Sequence, residues 1–125
     1  MSGIVFDAGG LIALERNDRR VVGLLTTARK EADQVIVPAT ALAQVIRNPA
    51  RQVRLWRIIQ SRGTEVVPLD GAQAQAVGAL LARTGASDIT DAHVVICAQA
   101  ADYTVITSDP LDLKRLDPKL RLVAV

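Results

Sequence analysis

The sequence predicts an α/β fold: a three-layer α/β/α sandwich with a central parallel sheet of about five strands. Short apolar segments alternate with longer segments that carry helical spacing of apolar residues. This alternation is typical of strands joined by helical crossovers. The short segments are continuously apolar, as expected for parallel strands that are buried on both faces. With 125 residues, half of them apolar, we expect a single domain over residues 1–125.

The first half of the chain contains two of the predicted strands and four predicted helices. Asp7 ends the first strand, and Ala-Gly-Gly is expected to form a turn before the helix that begins at Leu11. Asn48 and Pro49 are typical of a helix N-cap and first helical position, and Gly63 should close that helix. The remaining elements of this half are a strand over 3–7, a helix from about 18 to 32, a strand over 35–38 and a helix over 40–47.

The second half repeats the alternation and holds most of the acidic residues of interest. Asp70 should cap a helix that runs to Ala82, and an acidic turn at 85–88 should precede the next helix. The predicted elements of this half are a strand over 65–69, helices over 70–82 and from 90, a strand over 104–107, a helical turn over 109–116 and a strand over 120–125.

The protein is mildly basic, with a net charge of +2, and most of its basic residues are arginines. Five arginines fall within a single short segment, and their planar guanidinium groups suit phosphate: Arg47, Arg51, Arg54, Arg57 and Arg62. A solvated helix end explains Arg47 equally well. The chain has three aromatic residues, too few for a base-stacking platform of the kind used by single-strand binders.

Other features indicate a cytoplasmic protein. The N-terminal MSGIVFD reaches an acidic residue too early for the apolar core of a signal peptide, and the apolar runs are shorter than a membrane span. The single cysteine, Cys97, lies among apolar residues of a predicted helix. We therefore expect a buried thiol in a reducing compartment.

Four aspartates are expected at one edge of the predicted sheet. Asp7 and Asp109 follow strands, whereas Asp88 and Asp91 begin the helix that leads into the second of these strands. If the two strands are adjacent, the four carboxylates converge where α/β sheets usually bind ligands. Each aspartate alone is also a good helix cap. Their convergence would require a counter-charge, and Mg²⁺ or Mn²⁺ is the natural one.

Other chemistries have less support in the sequence. His93 is the only histidine, so neither a zinc site nor a nucleophilic triad has the residues that it needs. The hydroxyls of Thr107 and Ser108 could orient a ligand or a water, or bond the backbone. A phospho-acceptor receiver domain also gathers acids at strand ends, but its lysine would have to come from Lys114 or Lys119, which both follow Asp109.

The sequence resembles a PIN domain, and most of all the VapC-type toxins of bacterial toxin–antitoxin pairs. The resemblance covers nearly the whole chain and is carried by IVFDAGGLIAL, VPATALAQVIRN, SDITDAHVVICAQA and VITSDPLDLKRL. The separation of Asp91 and Asp109 (109 − 91 = 18) is also similar to the family's spacing. The resemblance implies Mg²⁺- or Mn²⁺-dependent cleavage of RNA by an endoribonuclease that a cognate antitoxin inhibits.

The resemblance also assigns roles to individual residues. It implies that Asp7, Asp91 and Asp109 bind the metal ion, and that Asp88 is an accessory acid. Asp112 matches a frequent acid of the family with a more structural role. Arg47 and Arg51 would then hold the RNA backbone.

One position departs from the commonest family pattern. Gln44 stands where the family commonly has a glutamate, and its amide brings no charge. An inactive PIN domain that binds RNA or a protein partner is therefore the alternative. A homodimer is also expected, because Leu24, Leu25 and Trp56 offer apolar helical faces that could form an interface, although these residues could equally belong to the core.

Overall fold

In the computed structural model, which describes residues 2–125, five strands form one parallel sheet in the order β3-β2-β1-β4-β5. The strands are β1 (Gly3–Phe6), β2 (Gln34–Pro38), β3 (Thr64–Val67), β4 (Thr104–Thr107) and β5 (Leu122–Ala124). Ile4 of β1 pairs with Val35 of β2 on one side and with Thr104 of β4 on the other. The adjacency of β1 and β4 is the condition on which convergence of the aspartates depends, and the structure confirms it.

Helices connect the strands and cover the sheet. They are α1 (Ala8–Glu15), α2 (Arg19–Lys30), α3 (Ala39–Val45), α4 (Val53–Ile59), α5 (Gly71–Thr84), α6 (Ile89–Gln99) and α7 (Pro110–Leu116). Helices α2 and α4 contact β2 and β3, respectively, whereas α6 contacts β1, β2 and β4. The predicted α/β/α architecture with a five-stranded parallel sheet is therefore confirmed.

The core consists of the sheet's apolar side chains and the helical faces packed on them. Val5, Val35 and Val105 of the three central strands are fully buried, as expected for strands covered on both sides. Leu25 could belong to an interface or to the core by sequence, and its side chain belongs to the core. Leu24 and Trp56 are half-buried, so these residues offer less free apolar surface than the sequence indicated.

Helix α1 begins earlier than predicted. Ala8-Gly9-Gly10 forms its first turn, and Asp7 is its N-cap, with the carboxylate accepting a hydrogen bond from the Gly10 N–H. Glycine has a low helix propensity, which is why the sequence indicated a turn here. A Cβ on Gly10 would lie 2.5 Å from the Ile106 carbonyl oxygen, so only glycine lets this turn approach β4 so closely.

The segment after α3 also differs from the prediction. Residues Pro49–Arg51 form a short 3₁₀ turn, and α4 begins only at Val53. The buried Gln52 explains the break. Its side-chain oxygen accepts hydrogen bonds from the backbone N–H groups of Arg47 and Asn48, at 3.1 and 3.2 Å, while its nitrogen donates to the Val45 carbonyl at 2.9 Å. Asn48 and Pro49 do take the predicted N-cap and first positions, but of this short 3₁₀ turn and not of α4, and the Asn48 side chain makes no capping hydrogen bond. The other elements occur where predicted, with ends displaced by a residue or two.

The structure also bears on the predicted thiol and on the length of the apolar segments. Cys97 is a free, buried thiol, as predicted, in the last turn of α6, and burial raises its pKa to about 12. Across residues 2–125, every helix is too short or too polar to cross a lipid bilayer.

Candidate active site

Asp7 lies between the carboxyl end of β1 and the first turn of α1, and its carboxylate is almost completely buried. One of its oxygens accepts a hydrogen bond from the Gly10 N–H at 2.7 Å. The other accepts from the hydroxyl of Thr107, which is fully buried at the end of β4. The carboxylate is therefore held in one orientation by two neighbouring segments.

The end of β4 links Asp7 to Asp109. The Thr107 hydroxyl donates to Asp7 and accepts the backbone N–H of Asp109 at 2.8 Å. The Ser108 backbone N–H also contributes a hydrogen bond to Asp7. Thr107 thus bonds the backbone, one of the two roles that the sequence left open, and it also orients a site carboxylate, which the sequence did not predict. Ser108 contributes through its backbone.

The side chain of Asp109 is not used as a helix cap. Although Asp109 precedes α7, within the described residues its carboxylate makes no capping hydrogen bond to that helix. It is exposed at the same edge of the sheet as Asp7. The capping explanation therefore fails for Asp109, and its side chain is free to bind a ligand.

Asp88 and Asp91 occupy the beginning of α6. Asp88 is the N-cap and accepts a hydrogen bond from the Asp91 backbone N–H at 2.9 Å. Asp91 is half-buried in the first helical turn. The cap relationship that the sequence indicated is present, and it leaves the Asp91 carboxylate available.

The electrostatic evidence shows that the aspartates face one another. Burial first, and then the negative charges of Asp88, Asp112, Asp109 and Asp7 in that order, together raise the pKa of Asp91 to about 6 from an ordinary 3.8. Burial likewise raises the pKa of Asp7, against the opposing effects of its hydrogen bonds and with a further rise caused by Asp109. Such mutual repulsion requires carboxylates at short range without a compensating charge.

The compensating charge is not supplied by the described part of the chain. Within residues 2–125, the ion pairs are Arg115–Asp112 and Arg121–Asp102. The Arg115–Asp112 pair involves an acid at the margin of the group of aspartates. The Arg121–Asp102 pair lies at the amino end of β4, whereas Asp109 follows its carboxyl end. Asp7, Asp88, Asp91 and Asp109 therefore have no ion-pair partner among these residues.

A cleft of about 350 Å³ opens beside α6 and α7. Asp88, Asp91 and Asp112 supply its acidic side chains, and Arg115 is the one basic residue among the described residues that line it. Asp7 and Asp109 do not line this cleft. Asp7 is buried at the junction of β1 and α1, and Asp109 is exposed just after β4. The carboxylates thus extend from a buried position at β1 to an open groove.

The donor set fits a hard dication through its chemistry. It offers oxygen ligands, surplus negative charge and one carboxylate already oriented by hydrogen bonds. In residues 2–125, however, no three His, Cys, Asp or Glu side chains form a ready-made ligand group. Mg²⁺ usually keeps several waters and takes only one or two protein carboxylates directly. The residues therefore fit an ion held partly through water.

The structure places the other predicted site residues less centrally. Gln44 is exposed on α3, one turn after Thr40, whose hydroxyl is 2.8 Å from the Nδ1 atom of His93. The guanidinium of Arg47 donates to the carbonyls of Ala43 and Ile46, at 3.2 and 2.7 Å. It therefore closes the end of its own helix, the simpler of the two explanations.

Arg51 is exposed in the 3₁₀ turn, and it too is separate from the residues that line the acidic cleft. A role for Arg47 and Arg51 in RNA binding stays a prediction.

Sequence reasoning missed two residues that organise the site. Gly10 permits α1 to reach β4, and its necessity depends on a contact between segments far apart in the chain. His93 bonds Thr40 and so joins α3 to α6 beside Asp91. The one signal in the sequence was a lone histidine among the apolar residues of the predicted helix.

Comparison with known proteins decides the family. The model of the PIN domain family matches residues 4–118, which is nearly the whole sequence. The chain belongs to the PIN domain family. The adjacent β1 and β4, with aspartates at their carboxyl ends, are thus features of a PIN domain. No functionally curated protein matches the sequence significantly.

Several solved structures share the fold of this PIN domain. A chain of the VapBC2 complex from Rickettsia felis, bound to a DNA fragment from its promoter, superimposes with a TM-score of 0.73 at 16% identity, over 98% of both chains. A chain of DNA-bound VapBC from Salmonella typhimurium superimposes with a TM-score of 0.71 at 19% identity, over 99% of this chain and 98% of that one. A chain of FitAcB from Neisseria gonorrhoeae superimposes with a TM-score of 0.63 at 18% identity, over 95% of both chains. At these identities the likeness concerns the fold.

Proposed function

We propose that this PIN domain is a Mg²⁺- or Mn²⁺-dependent endoribonuclease and the toxin of a VapBC-like toxin–antitoxin pair. The observation that supports the enzymatic activity most directly is the group of aspartates around Asp91, whose charges, together with burial as the larger cause, raise its pKa to about 6. PIN domains are generally nucleases, and a nuclease that uses metal-activated water needs such a group of carboxylates.

The proposed ligands are Asp7, Asp91 and Asp109, with Asp88 acting through a metal-bound water. When bound, the ion would acidify a water and neutralise charge on the scissile phosphate. The chain's own contribution is orientation. The Gly10 N–H and the Thr107 hydroxyl fix the Asp7 carboxylate before any ligand arrives, so little reorganisation is needed on binding.

A nuclease assay with matched variants tests the activity. The protein is incubated with a panel of structured RNAs and Mn²⁺ or Mg²⁺, with and without a chelator. We expect cleavage by the wild type, and loss of about a hundredfold or more in Asp7→Asn, Asp91→Asn and Asp109→Asn. Asp102→Asn is the control, because Asp102 lies at the opposite end of β4 and Asn tolerates its positive φ of 55°. Activity that survives all three site substitutions would disprove the assignment.

The antitoxin partner is part of the same proposal. Its support is the fold that this chain shares with chains of VapBC complexes. We expect expression of the chain to stop growth, and co-expression of a small open reading frame beside its gene to restore it. Expression without toxicity, by a protein that cleaves RNA in vitro, would remove the toxin role and leave the nuclease.

We also propose a cytoplasmic homodimer. Its support is exposed apolar surface on both helices that flank the acidic cleft. Ile89, at the start of α6, is 52% exposed, and Leu111, in the first turn of α7, is 75% exposed. Large apolar side chains at this exposure often mark interfaces. Light scattering coupled to size exclusion should give the mass of a dimer, and a monomer at micromolar concentration would refute it.

A non-catalytic binding module is the second candidate. It is favoured by two observations: no ready-made three-residue ligand group in residues 2–125, and the uncharged, exposed Gln44. A binding module would still bind RNA or the antitoxin. Neither the addition of Mn²⁺ nor the substitution Asp91→Asn would change the amount of RNA cleavage measured. The nuclease assay therefore separates the two candidates.

A further inference from the structure

We infer that Arg115 binds a phosphate of the RNA substrate at the acidic cleft. This inference deepens the proposed nuclease function and rests on it. It assigns the phosphate contact to α7, whereas the sequence directed attention to the arginine-rich segment around residues 47–62.

The position of Arg115 is the first observation. Arg115 lines the cleft together with Asp88, Asp91 and Asp112, and it is the one base among the described lining residues. A polyanion that approaches these carboxylates is repelled by them. A guanidinium at the mouth of the cleft offsets that repulsion and offers a planar pair of donors that match phosphate oxygens.

The availability of Arg115 is the second observation. Its single ion pair, with Asp112, has an N–O distance of 3.5 Å, and the two side chains are 80% and 54% exposed. Pairs this exposed and this long contribute little and exchange readily. The guanidinium can therefore leave Asp112 for a phosphate with little loss. Asp112 would then hold Arg115 over the cleft while no substrate is bound.

Several other arginines are committed to the protein itself. Arg47 donates to the carbonyls at the end of α3. Arg29 donates to the Arg62 carbonyl and the Thr64 hydroxyl, and Arg20 donates to the Ala124 carbonyl at 2.8 Å. Arg115 is distinguished from these by being both weakly engaged and located at the acids.

A matched control exists elsewhere in the chain. Arg121 forms an ion pair with Asp102 at 2.7 Å, and its side chain is also mostly exposed, at 60%. This pair lies at the amino end of β4, far along the strand from the proposed site. Arg121→Gln therefore removes the same charge from the protein without touching the cleft.

The experiment measures RNA binding and cleavage by Arg115→Gln, Arg115→Lys and Arg121→Gln. Binding uses a fluorescently labelled single-stranded RNA of mixed sequence, titrated at several salt concentrations in an Asp109→Asn background so that the RNA is not cut. Loss of one phosphate contact should reduce the slope of log affinity against log salt by about 0.7. We expect this reduction in Arg115→Gln, an intermediate result in Arg115→Lys, and the parental slope in Arg121→Gln.

Kinetics and metal binding give independent readouts. In the otherwise wild-type protein, Arg115→Gln should raise KM about fivefold and leave kcat within about twofold, because the contact is made in the ground state. Mn²⁺ affinity measured by calorimetry should not fall, since Arg115 repels the ion. A structural role alone would instead lower kcat and Mn²⁺ affinity together.

The outcomes distinguish this inference from the proposed function. If the wild type cleaves RNA but Arg115→Gln and Arg121→Gln share the parental salt slope and KM, the role of Arg115 is refuted and the nuclease stands. If the wild type binds RNA without cleaving it, the proposed nuclease activity is refuted. The difference in salt slope between the two variants then still decides whether Arg115 binds a phosphate. A wild type that neither binds nor cleaves RNA overturns both.

Discussion

Replacing Asp91 with asparagine should stabilise the metal-free protein at neutral pH while abolishing its proposed activity. Asp91 is half-buried among four other aspartates, which together with burial raise its pKa to about 6 from an ordinary 3.8. Between these two values the native state retains a proton that the unfolded chain has lost. The stability contributed by Asp91 therefore falls as pH rises through this window, and the full cost applies above it.

The magnitude follows from the difference between the two pKa values. A difference from 3.8 to about 6 corresponds to at most about 3 kcal/mol of destabilisation at neutral pH. Partial exposure of Asp91 reduces this to about 1.5 kcal/mol through solvent screening. Asparagine also loses about 0.5 kcal/mol of favourable interaction with the amino end of α6. The expected net gain in unfolding free energy is about 1 kcal/mol.

Urea denaturation in the presence of a chelator measures this effect. At about pH 7.5, Asp91→Asn should raise the midpoint by about 0.5–1 M relative to the wild type. Near pH 4 the native carboxyl is already protonated, so the gain should vanish. Adding Mn²⁺ should stabilise the wild type and have less effect on the variant, because an ion that binds only the native state adds stability in proportion to its affinity.

The control is Asp102→Asn, which removes a carboxylate at the opposite end of β4 and should show no gain at either pH. The reasoning is refuted if Asp91→Asn is equally destabilising at both pH values. It is also refuted if the gain at neutral pH is as large in Asp102→Asn.

Substitutions at Thr107, Gly10 and Gln44 test the construction of the site, and one at Gly78 serves as a control. Thr107→Val should cost about 1.5–3 kcal/mol in urea denaturation by removing a buried hydrogen bond to a carboxylate, whereas Thr107→Ser should restore most of it. Gly10→Ala should cost about 1–3 kcal/mol, because its Cβ would lie 2.5 Å from the Ile106 carbonyl. Gly78→Ala, at a mid-helix position with open space, should instead stabilise by about 0.5–1 kcal/mol. Gln44→Glu should tighten Mn²⁺ binding in calorimetry, and an unchanged affinity would place Gln44 outside the site.

The fold could be predicted because its signals are local. Continuous apolar runs such as Val35–Val37 indicate strands buried on both faces, and the alternation with helices requires parallel crossovers. The predictions failed where a distant contact overrides a local preference. Gly9 and Gly10 suggest a turn, because glycine has a low helix propensity. In the structure they form the first turn of α1, because the end of β4 lies too close for a residue with a Cβ. Asn48 and Pro49 suggest the start of a long helix, but they begin only a 3₁₀ turn. The buried Gln52 side chain binds the backbone N–H groups of Arg47 and Asn48, and α4 starts only after it.

The sequence by itself determined which acids could meet, because Asp7 and Asp109 each follow a strand and Asp88 and Asp91 begin the helix that feeds the second strand. Only the tertiary structure decided their individual states. Hydrogen bonds from the Thr107 hydroxyl and the Gly10 N–H fix Asp7, whereas burial and then repulsion from four neighbours raise the pKa of Asp91. The bond between Asp7 and Thr107 joins residues a hundred positions apart. Electrostatic and hydrogen-bond energies change over distances of a few ångströms, which spacing in the chain does not specify.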